Sequence, residues 1–186
     1  YFSFVMSNAG NSIIASQDMV KKIYFPRLII PLSKATTGLV DFSISLAILI
    51  CLMVFYGFAP KGTFLLSLLF LLIGVIAALS IGIWLSALTI RFRDFQHIIP
   101  FMVQLGTYIT PIAYPAAFAR TQLPEWASAL YFLNPMAGTI EGFRWALLGG
   151  TPPDAYSFIS FGIVLLLFFS GLYYFSKIES KMADLV

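Results

Sequence analysis

A short polar stretch between two long apolar runs holds the side chains best suited to chemistry. Residues 91–97 read RFRDFQH and include Arg91, Arg93, Asp94 and the only histidine, His97. Such a cluster fits three interpretations: a catalytic site, a nucleic-acid patch, or a polar turn between two membrane helices. Its position relative to the apolar runs decides among them.

Two other places combine polar side chains that could carry a function. Asp41 lies within an apolar run, where a carboxylate is a functional candidate by default. Thr37 and Ser45 lie four residues to either side of it, and a structural ion pair or polar network is favoured over proton coupling. Glu141 and Arg144 are three residues apart, so they can pair on one helix face. In a partly buried hairpin, that pair would fix the orientation of the hairpin or gate an exit. The alternative is a surface salt bridge that contributes little to stability.

A strip of polar and aromatic residues begins at His97. Phe101, Gln104 and Tyr108 follow it at steps of three and four, which places them near one face of a helix, and Tyr114 belongs to a neighbouring strip. Polar and aromatic groups at successive depths would suit a path for a sugar. The alternative is interhelical hydrogen bonding combined with an interfacial aromatic belt.

Signatures of enzymes are absent from the sequence. There is no GxxxxGK[ST] phosphate loop and no G-x-S-x-G elbow. One histidine and one cysteine, Cys51, do not make an ordinary zinc site. We therefore expect no catalytic residue, no metal and no cofactor in this chain, and any nucleotide energy must come from another chain.

The composition is that of an integral membrane protein. Of 186 residues, 60% are hydrophobic and only 10% are charged, whereas a soluble domain has roughly 25% charged residues. The net charge of +3 is too small to argue for nucleic acid as a partner. The chain is predicted to be an all-α polytopic helical bundle.

Long apolar runs predict the membrane helices, since a spanning helix needs about 20 apolar residues. Four runs are complete, at 35–59, 64–90, 98–117 and 155–176, and residues 1–9 read as the end of a fifth. Eight of the 11 basic residues lie on alternate loops, so the positive-inside rule places three segments in the cytoplasm: 10–34, 91–97 and 177–186. The RFRDFQH stretch is then a cytoplasmic turn, with Asp94 capping the next helix.

The segment 118–153 is external in this topology, yet it is apolar and aromatic. Two short helices are predicted, at about 124–133 and 135–148, with Asn134 as the cap and Pro135 in the first turn of the second. Neither is long enough to span a membrane, so we expect a re-entrant hairpin; the alternative is an amphipathic pair on the membrane surface.

Two further patterns concern packing and docking. Small residues at four-residue spacing predict close helix contact along one helix: Gly74, Ala78, Gly82 and Ser86. Residues 12–24 predict a short amphipathic cytoplasmic helix that ends before Pro26. Such a helix lies at the lipid surface or docks a soluble partner.

Three stretches, in this order, resemble the permease subunit of type-2 ABC transporters: MVKKIYFPRLIIPLS, RFRDFQHIIPFMVQLGTYITPIAYP and LNPMAGTIEGFRWALLGG. The nearest subgroup exports lipid-linked polysaccharides such as O-antigen, capsule or teichoic acid. The resemblance implies six membrane helices, the first of which this chain lacks. It also implies a homodimer around a central path in the bacterial inner membrane, and two copies of a separate ATPase subunit that bind ATP and Mg²⁺.

The resemblance also implies roles for particular residues. Residues 12–24 match a coupling helix that sits in a cleft of the ATPase, and RFRD matches a second contact; the coupling residues are then Asp18, Lys21, Lys22, Tyr24, Arg27, Arg91, Arg93 and Asp94. The helix after them would line the path with His97, Phe101, Gln104, Tyr108 and Tyr114. External gate helices would carry Asn134, Pro135, Glu141 and Arg144.

Three other functions stay open at the level of sequence. An exporter of drugs or lipids in the same class is compatible with every pattern above, because the sequence does not reveal the cargo. A proton-coupled carrier, or a membrane-embedded glycolipid enzyme using Asp41 or Glu141, is disfavoured by the shortage of acids within the spanning runs.

Overall fold

The computed structural model describes residues 1–23, 25–58, 63–112, 114, 124–149 and 152–179. Regular secondary structure in these residues is entirely helical, which confirms the predicted all-α class. The described helices, in chain order, are α1 (Phe2–Gly10), α2 (Ser12–Ala15), α3 (Gln17–Lys22), α4 (Ile29–Phe55), α5 (Leu66–Arg91), α6 (Phe95–Ile109), α7 (Glu125–Tyr131), α8 (Pro135–Leu148) and α9 (Ser157–Glu179).

Three of these helices are long and apolar enough to cross a membrane. They are α4, α5 and α9, with 27, 26 and 23 residues and mean hydropathies of 2.4, 2.7 and 2.1. They correspond to the predicted runs 35–59, 64–90 and 155–176. Large apolar side chains such as Ile44 and Leu68 are exposed on them, as expected of surfaces that face lipid.

The prediction of one continuous helix over 98–117 is wrong. Helix α6 has 15 residues and ends at Ile109, and the backbone bends at residues 110–112. Pro111 explains the break, because its ring disfavours helical geometry at Thr110 and it has no N–H to donate. Residues 113 and 115–117 lie outside the described part of the chain. Helix α6 by itself is therefore shorter than the roughly 20 residues of a full span.

The predicted cytoplasmic helix at 12–24 is also interrupted. It forms two short helices, α2 and α3, separated at Ser16, whose N–H donates to the carbonyls of Ser12 and Ile13 at 3.1 Å each. Tyr24 lies outside the described residues. Elsewhere the differences are small: α8 has the predicted bounds, α7 falls within the predicted 124–133, and the first residues of the predicted tail continue α9.

The residues group into two compact units. The first contains Tyr1–Leu49, Ala78–Gln104 and the chain from Leu167 onward, and the second contains Ile50–Ala77 and Leu105–Leu166. Helices α4, α5, α6 and α9 each contribute residues to both units.

In the first unit, the small residues of α5 allow α1 to approach closely. Ala78 is buried with Val5 and Ala9 of α1 and with Ala35 of α4. A Cβ on Gly82 would lie 3.0 Å from the Cβ of Ala9, so even a methyl group would be crowded there. The predicted packing role of this stripe is confirmed at Ala78 and Gly82.

A second cluster in the same unit anchors α2 and α3. Ile13 and Val20 are buried against α4, α5 and α9, through Ile30, Ile83, Ala87, Ile90, Phe175 and Ile178. The α2–α3 segment is thus held on the helical core by its apolar side chains, while its charged residues point outward. The segment is therefore anchored on its apolar side and exposed on its charged side.

In the second unit, α8 packs through two glycines on two different helices. A Cβ on Gly138 would lie 2.8 Å from the carbonyl oxygen of Ser157 on α9, and Gly142 lies against the ring of Phe70 on α5. Phe132 and Ala137 are buried nearby with Tyr156 of the α8–α9 connection. The GxxxG pair therefore fixes α8 to α5 and α9 together.

Candidate functional site

A hydrogen-bond network in the second unit surrounds the broken end of α6. Arg144 of α8 supplies donors to backbone carbonyls of the bend that follows α6. Its Nη2 donates to the carbonyls of Pro111 and Ile112 at 3.1 Å each. Its Nη1 donates to the carbonyl of Tyr114 at 3.4 Å and to Glu141 Oε2 at 3.2 Å. The planar fork of arginine lets one side chain serve all four acceptors.

The Glu141–Arg144 pair predicted from the spacing is present and partly buried. The side chains of Arg144 and Glu141 are 28% and 19% exposed. Three of the four acceptors of Arg144 are backbone carbonyls, so the ion pair accounts for only part of its bonding. The main effect of Arg144 is to bind the backbone of the bend that follows α6.

The first turn of α8 has a partner for each backbone N–H. Pro135 has no N–H, and the N–H of Met136 donates to Asn134 Oδ1 at 3.0 Å. Ala137 donates to the Asn134 carbonyl at 3.1 Å, and Gly138 donates to Ser160 Oγ of α9 at 3.2 Å. Asn134 as the cap and Pro135 in the first turn were both predicted, and both are confirmed.

The same cap also contacts the end of α6. Asn134 Nδ2 donates to Thr110 Oγ1 at 2.9 Å, and Thr110 is buried. One asparagine thus begins α8 with its oxygen and holds the end of α6 with its nitrogen. Asn134 and Arg144 together attach both ends of α8 to the residues around the bend.

Two tyrosines complete the network. The hydroxyl of Tyr114 lies 3.4 Å and 3.5 Å from the carbonyls of Ile109 and Tyr108, as a donor, and it accepts from the hydroxyl of Tyr131 at 3.4 Å. Burial, and then the hydrogen bond with Tyr114, raise the pKa of the Tyr131 phenol well above its usual value. Tyr131 therefore stays a neutral donor. Tyr114, which is predicted to line a path, lies in this network.

Helix α6 has one side packed and one side open. Ile99 is fully buried with Met6 of α1 and Leu85 of α5. His97 and Gln104 are exposed, and Phe101 and Tyr108 are 66% and 74% exposed. The predicted strip is therefore exposed on the described chain.

The predicted cytoplasmic charges are mostly exposed. Asp18 lies in the first turn of α3 and Lys21 and Lys22 lie in its last turn, an order that suits the helix dipole. Arg91, whose guanidinium carbon is 5.2 Å from the ring centre of Phe92, is exposed, as are Arg93 and Asp94. Asp94 directly precedes α6, and its carbonyl accepts from His97 at 3.0 Å.

Comparison with known proteins identifies the family. A family model described as ABC-2 type transporter matches residues 2–148. The chain belongs to the ABC-2 type transporter family. Two Klebsiella pneumoniae proteins, each named O-antigen export system permease protein RfbA, are 28% and 29% identical over 187 residues, covering 100% of the chain and 71% of each relative. A Myxococcus xanthus protein of the same name is 28% identical over 155 residues, 83% of the chain and 59% of that relative.

The resemblance read from the three sequence stretches is therefore confirmed for the family. This ABC-2 family member is a membrane-spanning component of a transporter, and its long apolar helices agree with that role. The matched residues include α6, the network at its end and the exposed charges of α3.

Asp41 of this transporter component does not form the side-chain network expected from its neighbours. The Ser45 hydroxyl donates to the backbone carbonyl of Asp41 at 3.0 Å, and Thr37 likewise donates to the carbonyl of Ser33 at 3.1 Å. Both hydroxyls follow the usual i−4 pattern within a helix. Asp41 is exposed, and within the described segments it has no ion pair.

Arg27 occupies a different position from the other predicted coupling residues. Its N–H donates to Glu179 Oε1 at 2.8 Å, and its Nη1 donates to the Glu179 carbonyl at 2.6 Å. Glu179 was not among the predicted site residues. The two positions are 152 residues apart, and the sequence signal they shared was that both lie in segments predicted to be cytoplasmic, 10–34 and 177–186. Glu179 also lies beyond the residues that the family model matches.

Proposed function

We propose that this chain is the permease subunit of an ATP-driven exporter that moves a lipid-linked polysaccharide of the O-antigen type across a bacterial inner membrane. The observation that carries the proposal is the similarity, over the whole chain, to relatives named as O-antigen export permeases. The open polar and aromatic face of α6 supports a glycan as the cargo, because rings stack on sugars and amides bond their hydroxyls.

The energy comes from a separate subunit in this proposal. The sequence has no phosphate loop, so two copies of an ATPase subunit bind ATP and Mg²⁺ beneath a homodimer of this chain. The α2–α3 segment supports such docking, because Ile13 and Val20 anchor it while Asp18, Lys21 and Lys22 are exposed. Arg91, Arg93 and Asp94 form a second exposed group for the same partner on the cytoplasmic side.

The path runs between the two copies, along the open faces of α6. His97 lies at its cytoplasmic mouth, and Phe101, Gln104 and Tyr108 follow at increasing depth. These side chains are exposed on the single chain. A neutral lining of rings and amides allows a polymer to slide, because no single contact is strong.

The network around the bend forms the outer gate. Asn134 and Arg144 bind the residues that follow α6 from both ends of α8, with Pro135 starting α8 and Glu141 orienting the guanidinium. Opening this end of the path requires the carbonyls of Pro111 and Ile112 to leave Arg144. The gate is thus a set of hydrogen bonds that break together.

A pull-down from native membranes tests the proposal. The full-length tagged protein is expected to recover an ATPase subunit, and the double variant Lys21→Glu, Lys22→Glu is expected to lose it. Lys61→Glu is the matched control, because the charge pattern places Lys61 on the opposite side of the membrane. Recovery of no ATPase with the unaltered protein would contradict the proposal.

The cargo is tested in cells from which the gene has been removed. Surface glycan is expected to disappear while its lipid-linked form accumulates inside, and the intact gene restores export. Normal surface glycan together with altered efflux of drugs or lipids would reassign the cargo and leave the ATPase result standing.

A further inference from the structure

Arg27 and Glu179 hold each other through a reciprocal contact. The side chain of each residue binds the backbone of the other, at 2.8 Å from the Arg27 N–H to Glu179 Oε1 and at 2.6 Å from Arg27 Nη1 to the Glu179 carbonyl. The two side chains are therefore not simply paired by charge. We call this contact the Arg27–Glu179 clasp.

The clasp completes the ends of two helices. The Arg27 carbonyl accepts from Ile30 at 3.1 Å in the turn that begins α4, so the Arg27 N–H is one of the unpaired donors of that helix start. Glu179 is the last described residue of α9, and its carbonyl accepts from Arg27 Nη1. A carboxylate at the start of α4 and a guanidinium at the end of α9 also match both helix dipoles.

The clasp lies beside the buried cluster that anchors α2 and α3. Ile30 and Ile178 are 4% and 7% exposed, and both contact the cluster that holds Ile13 and Val20. Phe25 and Leu28, on either side of Arg27, pack against the same cluster. The chain from α3 to α4 therefore cannot shift relative to the end of α9 without breaking the two hydrogen bonds.

We propose that Arg27 and Glu179 are positioning residues that transmit displacement of the α2–α3 segment to α9. The inference rests on the proposed function, in which an ATPase subunit moves that segment. Arg27 acts through Glu179 rather than by touching the ATPase. Helix α9 is thereby driven from its cytoplasmic end in the same step as α4.

The experiment measures glycan exported per ATP hydrolysed, with the full-length protein and its ATPase in proteoliposomes. Glu179→Ala is expected to recover the ATPase normally and to lower this ratio about tenfold, the effect of losing one charged hydrogen bond. Arg27→Ala is expected to lower the ratio to a similar extent. Glu179→Gln and Arg27→Lys keep an acceptor and a donor and are expected to retain most of the ratio.

A matched control separates transmission from general stability. Trp84→Phe removes another hydrogen bond to α9, from Trp84 Nε1 to Ser170 Oγ at 3.1 Å, away from the α3–α4 connection. It is expected to lower the stability of the protein without lowering export per ATP. An equal fall with Trp84→Phe would reduce the clasp to a structural contact and overturn the proposal.

The exchange of the two residues gives the sharpest result. In Arg27→Glu, Glu179→Arg, a carboxylate faces a carbonyl and a guanidinium faces an N–H, so export is expected to fall at least as far as in either alanine variant. Restored export, or normal export per ATP in both alanine variants, would overturn the proposal. Failure of the unaltered protein to recover an ATPase would instead overturn the proposed function, and the transmission with it.

Discussion

Replacing Arg144 by lysine separates its two roles. Lysine keeps a positive charge near Glu141 but offers one ammonium group in place of a planar fork. It is expected to keep the ion pair and to release the carbonyls of Pro111 and Ile112, which Arg144 Nη2 binds at 3.1 Å each. Glu141→Gln makes the opposite change, because it removes the charge pair and leaves the carbonyl contacts in place.

The geometry predicts which of the two variants loses more stability. Two lost hydrogen bonds to partly buried carbonyls cost about 1 kcal/mol each, or about 2 kcal/mol for Arg144→Lys. Glutamine keeps an oxygen at position 141 that can accept from Arg144, so the loss of charge in Glu141→Gln is expected to cost only about 0.5 kcal/mol. With roughly 2–4 °C per kcal/mol for a chain of this size, the expected falls in Tm are about 4–8 °C and about 1–2 °C.

Thermal unfolding in nanodiscs measures both variants against the unaltered protein. Surface glycan in cells gives the functional counterpart, and Arg144→Lys is expected to impair export more than Glu141→Gln. A larger loss of Tm with Glu141→Gln than with Arg144→Lys would refute the role of Arg144 in holding the bend and leave it as half of an ordinary ion pair.

Two other variants test the neighbouring contacts. Ser160→Ala removes the hydroxyl that accepts from Gly138 and donates to the Phe132 carbonyl at 2.8 Å, so a loss of about 1–3 kcal/mol in unfolding free energy is expected. Ser43→Ala, on an exposed part of α4, is the control. Equal stability of the two variants would contradict the bridging role of Ser160. Phe101→Ala, Gln104→Ala and Tyr108→Ala are expected to reduce export several-fold with the complex intact, whereas Phe169→Ala, an aromatic 65% exposed on α9, is expected to have no effect; normal export in all three would assign the α6 face to packing.

The features predicted well from sequence are those with local causes. Apolar runs of sufficient length gave the spans α4, α5 and α9, because lipid imposes both length and composition. The bounds of α8 were predicted because Asn134 and Pro135 are start signals within the chain itself. The same local signal existed at Pro111, but the continuous apolar run outweighed it and the predicted helix was extended too far.

Contacts with distant backbone groups were not predictable. Arg144 binds backbone carbonyls and Glu179 binds a backbone N–H. Such groups occur at nearly every position, so the residue type does not reveal which of them will be bound. Pairing rules for helices cover neighbours three or four positions apart, so they found Glu141 with Arg144 and missed Glu179. The polar network predicted around Asp41 does not form for a related reason. The hydroxyls of Thr37 and Ser45 donate to backbone carbonyls of their own helix.

The contact between Arg144 and the bend after α6 also bears on the order in which parts of the protein are completed during synthesis. The carbonyl of Pro111 accepts from a residue 33 positions later in the chain, so the bend is synthesised before its donor. Until Arg144 of α8 is present, these carbonyls must find other donors, because a buried backbone group without a partner costs free energy. The bend after α6 is therefore completed only when α8 has been synthesised, and a pause in synthesis between the two helices would prolong the period in which its carbonyls lack this donor.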